Sequence, residues 1–248
     1  MIPLWREQLG APVLLEGDVH IWRASLNQPA SHVQSLQQTL APDEQSRAER
    51  CHFERDRQRF IVARGLLRAI LSRYVHEHPS HLRFCSSPYG KPALVTQPDR
   101  EMLKFNLSHS SDLVLYAVTR GRSVGIDVER IRPLPDITGM AKRFFSLQEF
   151  AMFRALPKHL QLEVFFTCWT RKEAYIKARG EGLSLPLDQF DVSFIPGEPA
   201  VLLKTLEDPQ EARRWSLHAL PSAPGYEAAL AIEGQGCHLW YWQALAKG

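Results

Sequence analysis

Asp127, Glu129 and Glu173 are the residues of this 248-residue chain whose types and spacing best support chemistry. The first two lie in Val124-Gly125-Ile126-Asp127-Val128-Glu129. That segment alternates as a strand does, so Val124, Ile126 and Val128 share one face and the two carboxylates share the other. Carboxylates roughly 7 Å apart along a strand repel unless a cation or a proton sits between them. Glu173, in Trp169-Thr170-Arg171-Lys172-Glu173-Ala174-Tyr175-Ile176-Lys177, falls on the helical stripe of Phe166, Trp169 and Ile176. A carboxylate there is costly unless it is paired or coordinating. Three such oxygen donors suit a hard divalent ion such as Mg²⁺, which points to phosphate chemistry. Spacing alone leaves a second reading open. Asp127 and Glu129 could pair with Arg130 or Arg132 on a surface strand, and Glu173 with Lys177 one helical turn on, a contact worth only about 0.3–0.5 kcal/mol.

The elements that must position these groups follow from periodicity. Residues 18–26 alternate as a strand, 31–40 read as a helix, and Pro42 suits the first turn of another. A helix over 56–74 has Phe60, Ala63, Leu67, Ile70 and Tyr74 on its core face and Arg59, Arg64 and Arg68 on its flanks. Ser86 to Pro92 is a turn-rich loop within 82–98, and Phe105 to Ser110 is a short strand running into a polar loop. The runs 113–118 and 124–129, joined by Thr119-Arg120-Gly121-Arg122-Ser123, predict a hairpin. Residues 136–156 and 159–179 predict helices, the second ended by Gly180 or Gly182, and 188–203 and 214–245 predict short strands. The order β-α-β, then β-α-β again, predicts an α+β fold of two similar halves, residues 1–122 and 123–248, with a ligand cleft between them.

Composition sets limits. The chain is 44% hydrophobic and 23% charged with a net charge of +3, ordinary for a globular protein. Cys51, Cys85, Cys168 and Cys237 are scattered with no CxxC pair, which argues against structural zinc and a disulfide framework. Residues 1–20 lack a basic start followed by a long apolar run, and no window approaches the roughly 20 apolar residues of a membrane span. The expectation is a cytoplasmic protein with reduced thiols and no membrane partner. Arg47, Arg50, Arg55, Arg57, Arg59, Arg64, Arg68 and Arg73 crowd one stretch and suit phosphate, an acidic partner or nucleic acid. Glu49, Glu54 and Asp56 among them fit a solvated helix face equally well. There is no GxxxxGK[ST] or GxGxxG loop and no nucleic-acid recognition motif, which counts against another Mg²⁺-dependent nucleotide enzyme and a nucleic-acid binder.

Five segments, in order, carry a resemblance. They are Gly90-Lys91-Pro92, Phe105-Asn106-Leu107-Ser108-His109-Ser110, Gly125-Ile126-Asp127-Val128-Glu129, Lys142-Arg143-Phe144-Phe145-Ser146, and Trp169-x-x-Lys172-Glu173-Ala174-x-x-Lys177 with Gly180-x-Gly182-Leu183. Across roughly residues 45–190 the chain resembles the surfactin-type (Sfp-type) 4′-phosphopantetheinyl transferases. The resemblance implies two similar α+β halves with the active site between them. It also implies a reaction: the phosphopantetheine arm of coenzyme A moves to a serine of an acyl or peptidyl carrier protein, and 3′,5′-ADP is released.

The resemblance also assigns roles. Asp127, Glu129 and Glu173 become the Mg²⁺ ligands, with Glu173 the base for the carrier serine, either directly or through a metal-bound water, and Lys177 neutralising the transferred phosphate. Ser108 and His109 become phosphate donors, and Lys91 with Tyr89, Gly90 and Pro92 the adenine and 3′-phosphate contacts. Arg59 aligns with a 3′-phosphate arginine, and Arg47 and Arg50 align less securely with similar basic residues. Lys172 is in the motif and is expected at the solvent or ligand rim, Trp169 in the core, and Phe144-Phe145 as packing with one exposed ring. Carrier proteins are acidic around the modified serine, so Arg122, Arg132 and Arg143 could steer docking to a monomeric enzyme. The alternative is a non-catalytic module that binds coenzyme A or docks the carrier; its mark is loss of a metal carboxylate or of the 172–177 pair, and all are present.

Overall fold

The chain runs twice through the same order of elements. The structure is a computed structural model that describes residues 5–7, 12–95 and 102–244. After β1 (Arg6–Glu7), the first pass is β2 (Asp18–Ser25), α1 (Ala30–Gln37), α2 (Pro42–Glu49), α3 (Glu54–Val75), the small pair β3 (Phe84–Ser86) and β4 (Pro92–Leu94), then β5 (Leu103–Ser110) and β6 (Leu113–Arg120). The second pass is β7 (Val124–Arg130), α4 (Ile137–Phe144), α5 (Leu147–Ala155), α6 (Lys158–Arg179), the small pair β8 (Phe190–Val192) and β9 (Leu202–Thr205), then β10 (Trp215–Ala219) and β11 (Tyr226–Glu233). β2-β6-β5 in one sheet and β7-β11-β10 in the other repeat the same strand order, and the fold is α+β. Both passes place a 22-residue helix, α3 or α6, before the closing hairpin.

Alternation assigns each strand face to a layer. Trp22, Ala24, Val114, Tyr116 and Val118 meet Ile61, Leu67 and Leu71 of α3 in one core. Ala229, Ala231, Trp215 and Leu217 meet Phe166, Ala174 and Ala178 of α6 in a second. The opposite faces, with Val19, Ile21, Leu115 and Ala117 on one sheet and Val124, Ile126, Val128, Leu230 and Ile232 on the other, press together in a third. The layers therefore run helix, sheet, sheet, helix, and the third core joins the two passes. Each buried Val, Leu, Ile or Phe among them contributes about 1.5–3 kcal/mol relative to exposure.

Four sequence expectations change. The predicted hairpin of 113–118 and 124–129 does not form, because β6 is already flanked by β2 and β5 and has no free edge. Its true hairpin partner is β5, around Ser111 at φ 53°, and β7 pairs with β11 instead. The predicted helix over 136–156 breaks into α4 and α5 at Phe145 and Ser146: Ser146 Oγ accepts from Glu149 N and Glu149 Oε2 accepts from Ser146 N, a reciprocal cap that starts a new helix. The last strand, β12 (His238–Gln243), lies parallel to β2 in the first sheet, between β2 and the edge strand β1, so the segment 123–248 does not keep its final strand. Arg68, expected on a helix flank, is 1% exposed and donates to Glu44 Oε2 at 2.6 Å and to the carbonyls of Pro79 and Leu82. Residues 96–98 and 245 of the predicted loop and strand region lie outside the described residues.

His20 on β2 is also buried, with Nδ1 2.8 Å from Tyr74 Oη. Burial, opposed by Asp18, lowers its pKa to about 4. Between that value and the unfolded value near 6.5 the unfolded chain binds a proton that the folded chain does not. Stability must therefore fall as pH drops through this window, by roughly 3 kcal/mol in total. Urea melts between pH 7 and pH 4 are expected to show that loss, and His20→Gln is expected to flatten this part of the profile.

Candidate active site

β7 is the edge of its sheet, and the side chains of β5 serve that edge in place of a backbone ladder. Asn106 Oδ1 accepts from Ile126 N at 2.8 Å, and Ser110 Oγ accepts from Arg130 N at 3.1 Å. Between them, Ser108 Oγ donates to Asp127 Oδ1 at 2.7 Å, while Ser110 Oγ donates to Glu129 Oε2 at 2.7 Å. Asn106, Ser108 and Ser110 are two residues apart, so all three project toward β7. On the other side, α6 lies so close that a Cβ on Gly125 would stand 2.1 Å from Ala174 O. Only glycine admits the helix carrying Glu173 and Lys177 at this distance.

The result is one pocket lined by Leu107, Ser108, His109, Asp127, Glu129, Trp169, Glu173 and Lys177. Lys177 Nζ is 2.5 Å from Asp127 Oδ1 and 3.1 Å from Ser108 Oγ, so Lys177 serves Asp127 across the pocket. Asp127 is 2% exposed, and its Oδ2 is buried without a hydrogen-bond partner. Burial raises the Glu173 pKa to about 7, with Lys177 opposing and Asp127 and Glu129 adding to the rise. Burial likewise raises Glu129, against the Ser110 hydrogen bond, with Asp127 adding to the rise. His109 keeps contact with solvent, yet desolvation, then Lys177 and Arg59, lowers its pKa and favours the neutral ring.

Three carboxylates lining one pocket, with Glu129 and Glu173 raised by burial and Asp127 carrying an orphaned buried oxygen, fit a hard cation. Among the described residues no three His, Cys, Asp or Glu side chains close around an ion by themselves. Mg²⁺ is commonly held by one or two carboxylates, with water and substrate phosphate completing its shell. Asp127, Glu129 and Glu173 are the residues that could hold it.

Other expected site residues fall elsewhere. Lys172, expected at the ligand rim, is fully buried. Its Nζ lies 2.7 Å from Glu149 Oε2 and donates to Leu187 O and Phe190 O, which leaves no donor for coenzyme A. Lys91, expected at the nucleotide, donates to backbone carbonyls of Val124, Lys177 and Ala178. Arg59 reaches Asp112 Oδ1 at 2.5 Å, in the hairpin turn next to His109. Arg47 lies over the Phe60 ring, and Arg50 is exposed at the end of α2. Tyr89 is exposed at the tip of a turn in which Gly90 takes φ 82°, and Pro92 starts β4. Trp169 packs on Phe165 and also lines the pocket, and Phe145 is buried while Phe144 is half-buried under Arg143. Arg122 donates to Glu233 O and so is tied to the backbone. Asn106, Ser110 and Glu149 were not singled out as site residues. The alternation Asn106-x-Ser108-x-Ser110 and the Ser146-x-x-Glu149 cap were the available signals.

The gathered carboxylates and lysine can be set beside known proteins. Residues 20–120 match the family "4′-phosphopantetheinyl transferase, N-terminal", and residues 123–231 match the "4′-phosphopantetheinyl transferase superfamily". The chain is 41% identical over 229 residues to the 4′-phosphopantetheinyl transferase HetI of Nostoc sp., covering 92% of this chain and 93% of that protein. It is 32% identical over 192 residues to the 4′-phosphopantetheinyl transferase Sfp of Bacillus subtilis, covering 77% of this chain and 81% of that one. A holo-[acyl-carrier-protein] synthase of Thermotoga maritima matches 46% of this chain and 63% of its own, with a TM-score of 0.37 and 22% identity. The chain belongs to the 4′-phosphopantetheinyl transferase superfamily.

The placement of Lys172 has a direct test. Lys172→Met leaves Glu149 buried without its cation and is expected to cost about 3–5 kcal/mol of stability. Lys172→Met with Glu149→Gln is expected to recover most of that loss in chemical denaturation. Coenzyme A affinity measured on the folded double variant is expected to match wild type.

Proposed function

We propose that this chain transfers the 4′-phosphopantetheine arm of coenzyme A to a serine hydroxyl of an acyl or peptidyl carrier protein, with Mg²⁺ held by Asp127, Glu129 and Glu173. The observation that carries this reading is the pocket in which those carboxylates face Lys177, with Asp127 Oδ2 buried and unpartnered, in a chain of this superfamily. When bound, Mg²⁺ would offset the charge of the pyrophosphate.

The chain's own residues supply the rest. Glu173, lining the pocket with Lys177 and His109, is placed to take the serine proton. The serine oxygen bonds to the β-phosphorus, the bond from that phosphorus to the bridging oxygen breaks, and the electron pair leaves on 3′,5′-ADP. Lys177 stands beside Asp127 with a positive charge for the transferred phosphoryl group. Neutral His109 can donate its ring N–H to a phosphate oxygen. Arg59, close enough to bear on His109, supplies cationic charge for the 3′-phosphate, and the exposed turn of Tyr89 and Gly90 offers backbone contacts to the base. One chain contributes both sides of the pocket, which supports a monomeric enzyme. No described helix is long and apolar enough to cross a membrane. The reading is of a cytoplasmic enzyme whose macromolecular partner is the carrier.

For the acidic carrier, Arg143 lies over Phe144, which stacks edge-on with the pocket-lining Trp169, and Arg132 is close enough to act on Glu129. Both arginines are exposed and are the cations assigned to meet the carrier's acidic surface. Arg132→Ala and Arg143→Ala are expected to lower kcat/KM for the carrier several-fold, and the gap from wild type should narrow as salt rises to about 0.5 M, where surface charge is screened. A gap that persists unchanged at high salt would remove the steering role.

Intact-mass spectrometry of an apo carrier incubated with this protein, coenzyme A and Mg²⁺ tests the reaction. The expected result is a gain of one phosphopantetheine, abolished by EDTA. Asp127→Asn is expected to lose on the order of a hundredfold or more in rate while keeping the wild-type circular dichroism spectrum. Retention of Mg²⁺-dependent transfer by that variant would sink the metal assignment.

A further inference from the structure

Lys91 belongs to the Gly90-Lys91-Pro92 segment that resembles a nucleotide contact, yet its ammonium is spent inside the protein. Its Nζ donates to Val124 O at 2.9 Å, Lys177 O at 2.6 Å and Ala178 O at 3.3 Å. An ammonium has three N–H donors, and these three carbonyls use all of them, so none is left for a phosphate.

Each acceptor has a reason to want a cation. α6 ends at Gly180, whose N–H takes Ile176 O at 3.0 Å. The next carbonyls, of Lys177 and Ala178, have no successor turn to donate to them, and they lie at the negative end of the helix dipole. A lysine from elsewhere in the chain therefore acts as the C-terminal cap of α6. The third acceptor, Val124 O, opens β7 three residues before Asp127. β7 and α6 cross beside it, where Gly125 leaves no room for a Cβ. Lys91 thus grips the crossing point of the two elements that carry Asp127 and Glu129 on one side and Glu173 and Lys177 on the other.

Its own anchor lies in the first pass of the chain. Ser87 N donates to Lys91 O at 2.8 Å, Gly90 N to Ser87 O at 2.9 Å, and Lys91 N to Ser87 Oγ at 3.0 Å. The turn 87–91 is closed on itself before the side chain leaves it.

We infer that Lys91 is a positioning residue: it fastens the turn 87–91 to both β7 and the end of α6, holding the carboxylates and Lys177 in register, and it does not bind the 3′-phosphate. Its activity readout rests on the transferase reading above, but its structural readout does not. A 3′-phosphate ligand would matter only when that phosphate is present. A clamp matters with any acyl-carrier substrate pair, and in the protein alone.

The experiment uses Lys91→Met in the full chain. In the protein without coenzyme A, amide hydrogen exchange over residues 176–182 is expected to quicken, while exchange in α3 stays as in wild type. In the transfer assay, kcat is expected to fall on the order of tenfold or more with coenzyme A and 3′-dephospho-coenzyme A alike, with little change in KM for either. Unchanged exchange, together with a loss confined to the KM of coenzyme A, overturns the inference. If Lys91→Met does not fold, trace acetylation of wild-type lysines replaces it. Lys91 is then expected to label slowly with or without coenzyme A, and ready labelling that coenzyme A blocks overturns the inference. Absence of transfer by wild type would overturn the transferase reading while leaving exchange and labelling to decide Lys91.

Discussion

A single edge organises this molecule: the side of β7 that has no strand beside it. A free strand edge must find partners for its N–H groups or leave them exposed. Here Asn106 and Ser110 of β5 accept from Ile126 N and Arg130 N, using side chains where a sheet would use backbone. The substitution sets the two halves a side chain's length apart instead of fusing their sheets. That gap is the pocket, and the same run of β5 side chains turns Ser108 and Ser110 onto Asp127 and Glu129. Apolar pressure from Val19, Ile21, Ile126 and Leu230 behind the edge keeps the halves together while the polar ladder fixes their register.

The pocket holds its charges under tension that a substrate and cation would relieve. Lys177 satisfies one oxygen of Asp127, but the other oxygen and two further carboxylates share a poorly hydrated space. A third half-buried carboxylate costs more than it returns in the protein alone, which is the pattern of a site built for a ligand rather than for stability. Two buried carboxylates elsewhere have partners on both oxygens. Glu149 meets Lys172, and Glu44 takes both Arg64 and Arg68.

The repeated order of elements explains why one chain can make such a pocket. Each pass supplies a three-stranded sheet with a long helix on its outer face, and their inner faces meet. The passes then diverge at their edges. β12 covers the outer edge of β2, whereas the corresponding edge of β7 stays available for the β5 ladder. The returning C-terminal strand thereby also ties the end of the chain to its first sheet.

Much of this was legible along the chain. The alternation of Val124, Ile126 and Val128 against Asp127 and Glu129 dictated their faces, because a strand has a strict period of two. The helices carrying Arg59 and Glu173 were equally readable, as was the end of α6 at Gly180. What local pattern could not determine was pairing. The 113–118 and 124–129 runs looked like a hairpin because nothing in them records that β6 already has a neighbour on each side. Nor does the type of a lysine say where its ammonium goes: Lys172 and Lys91 sit in site motifs, yet buried carbonyls and Glu149 claim them. The sequence by itself determined the kinds of groups, their faces and their family. Tertiary structure alone decided which strand edges stay open and which cations are already spent, because both depend on contacts between residues far apart in the chain.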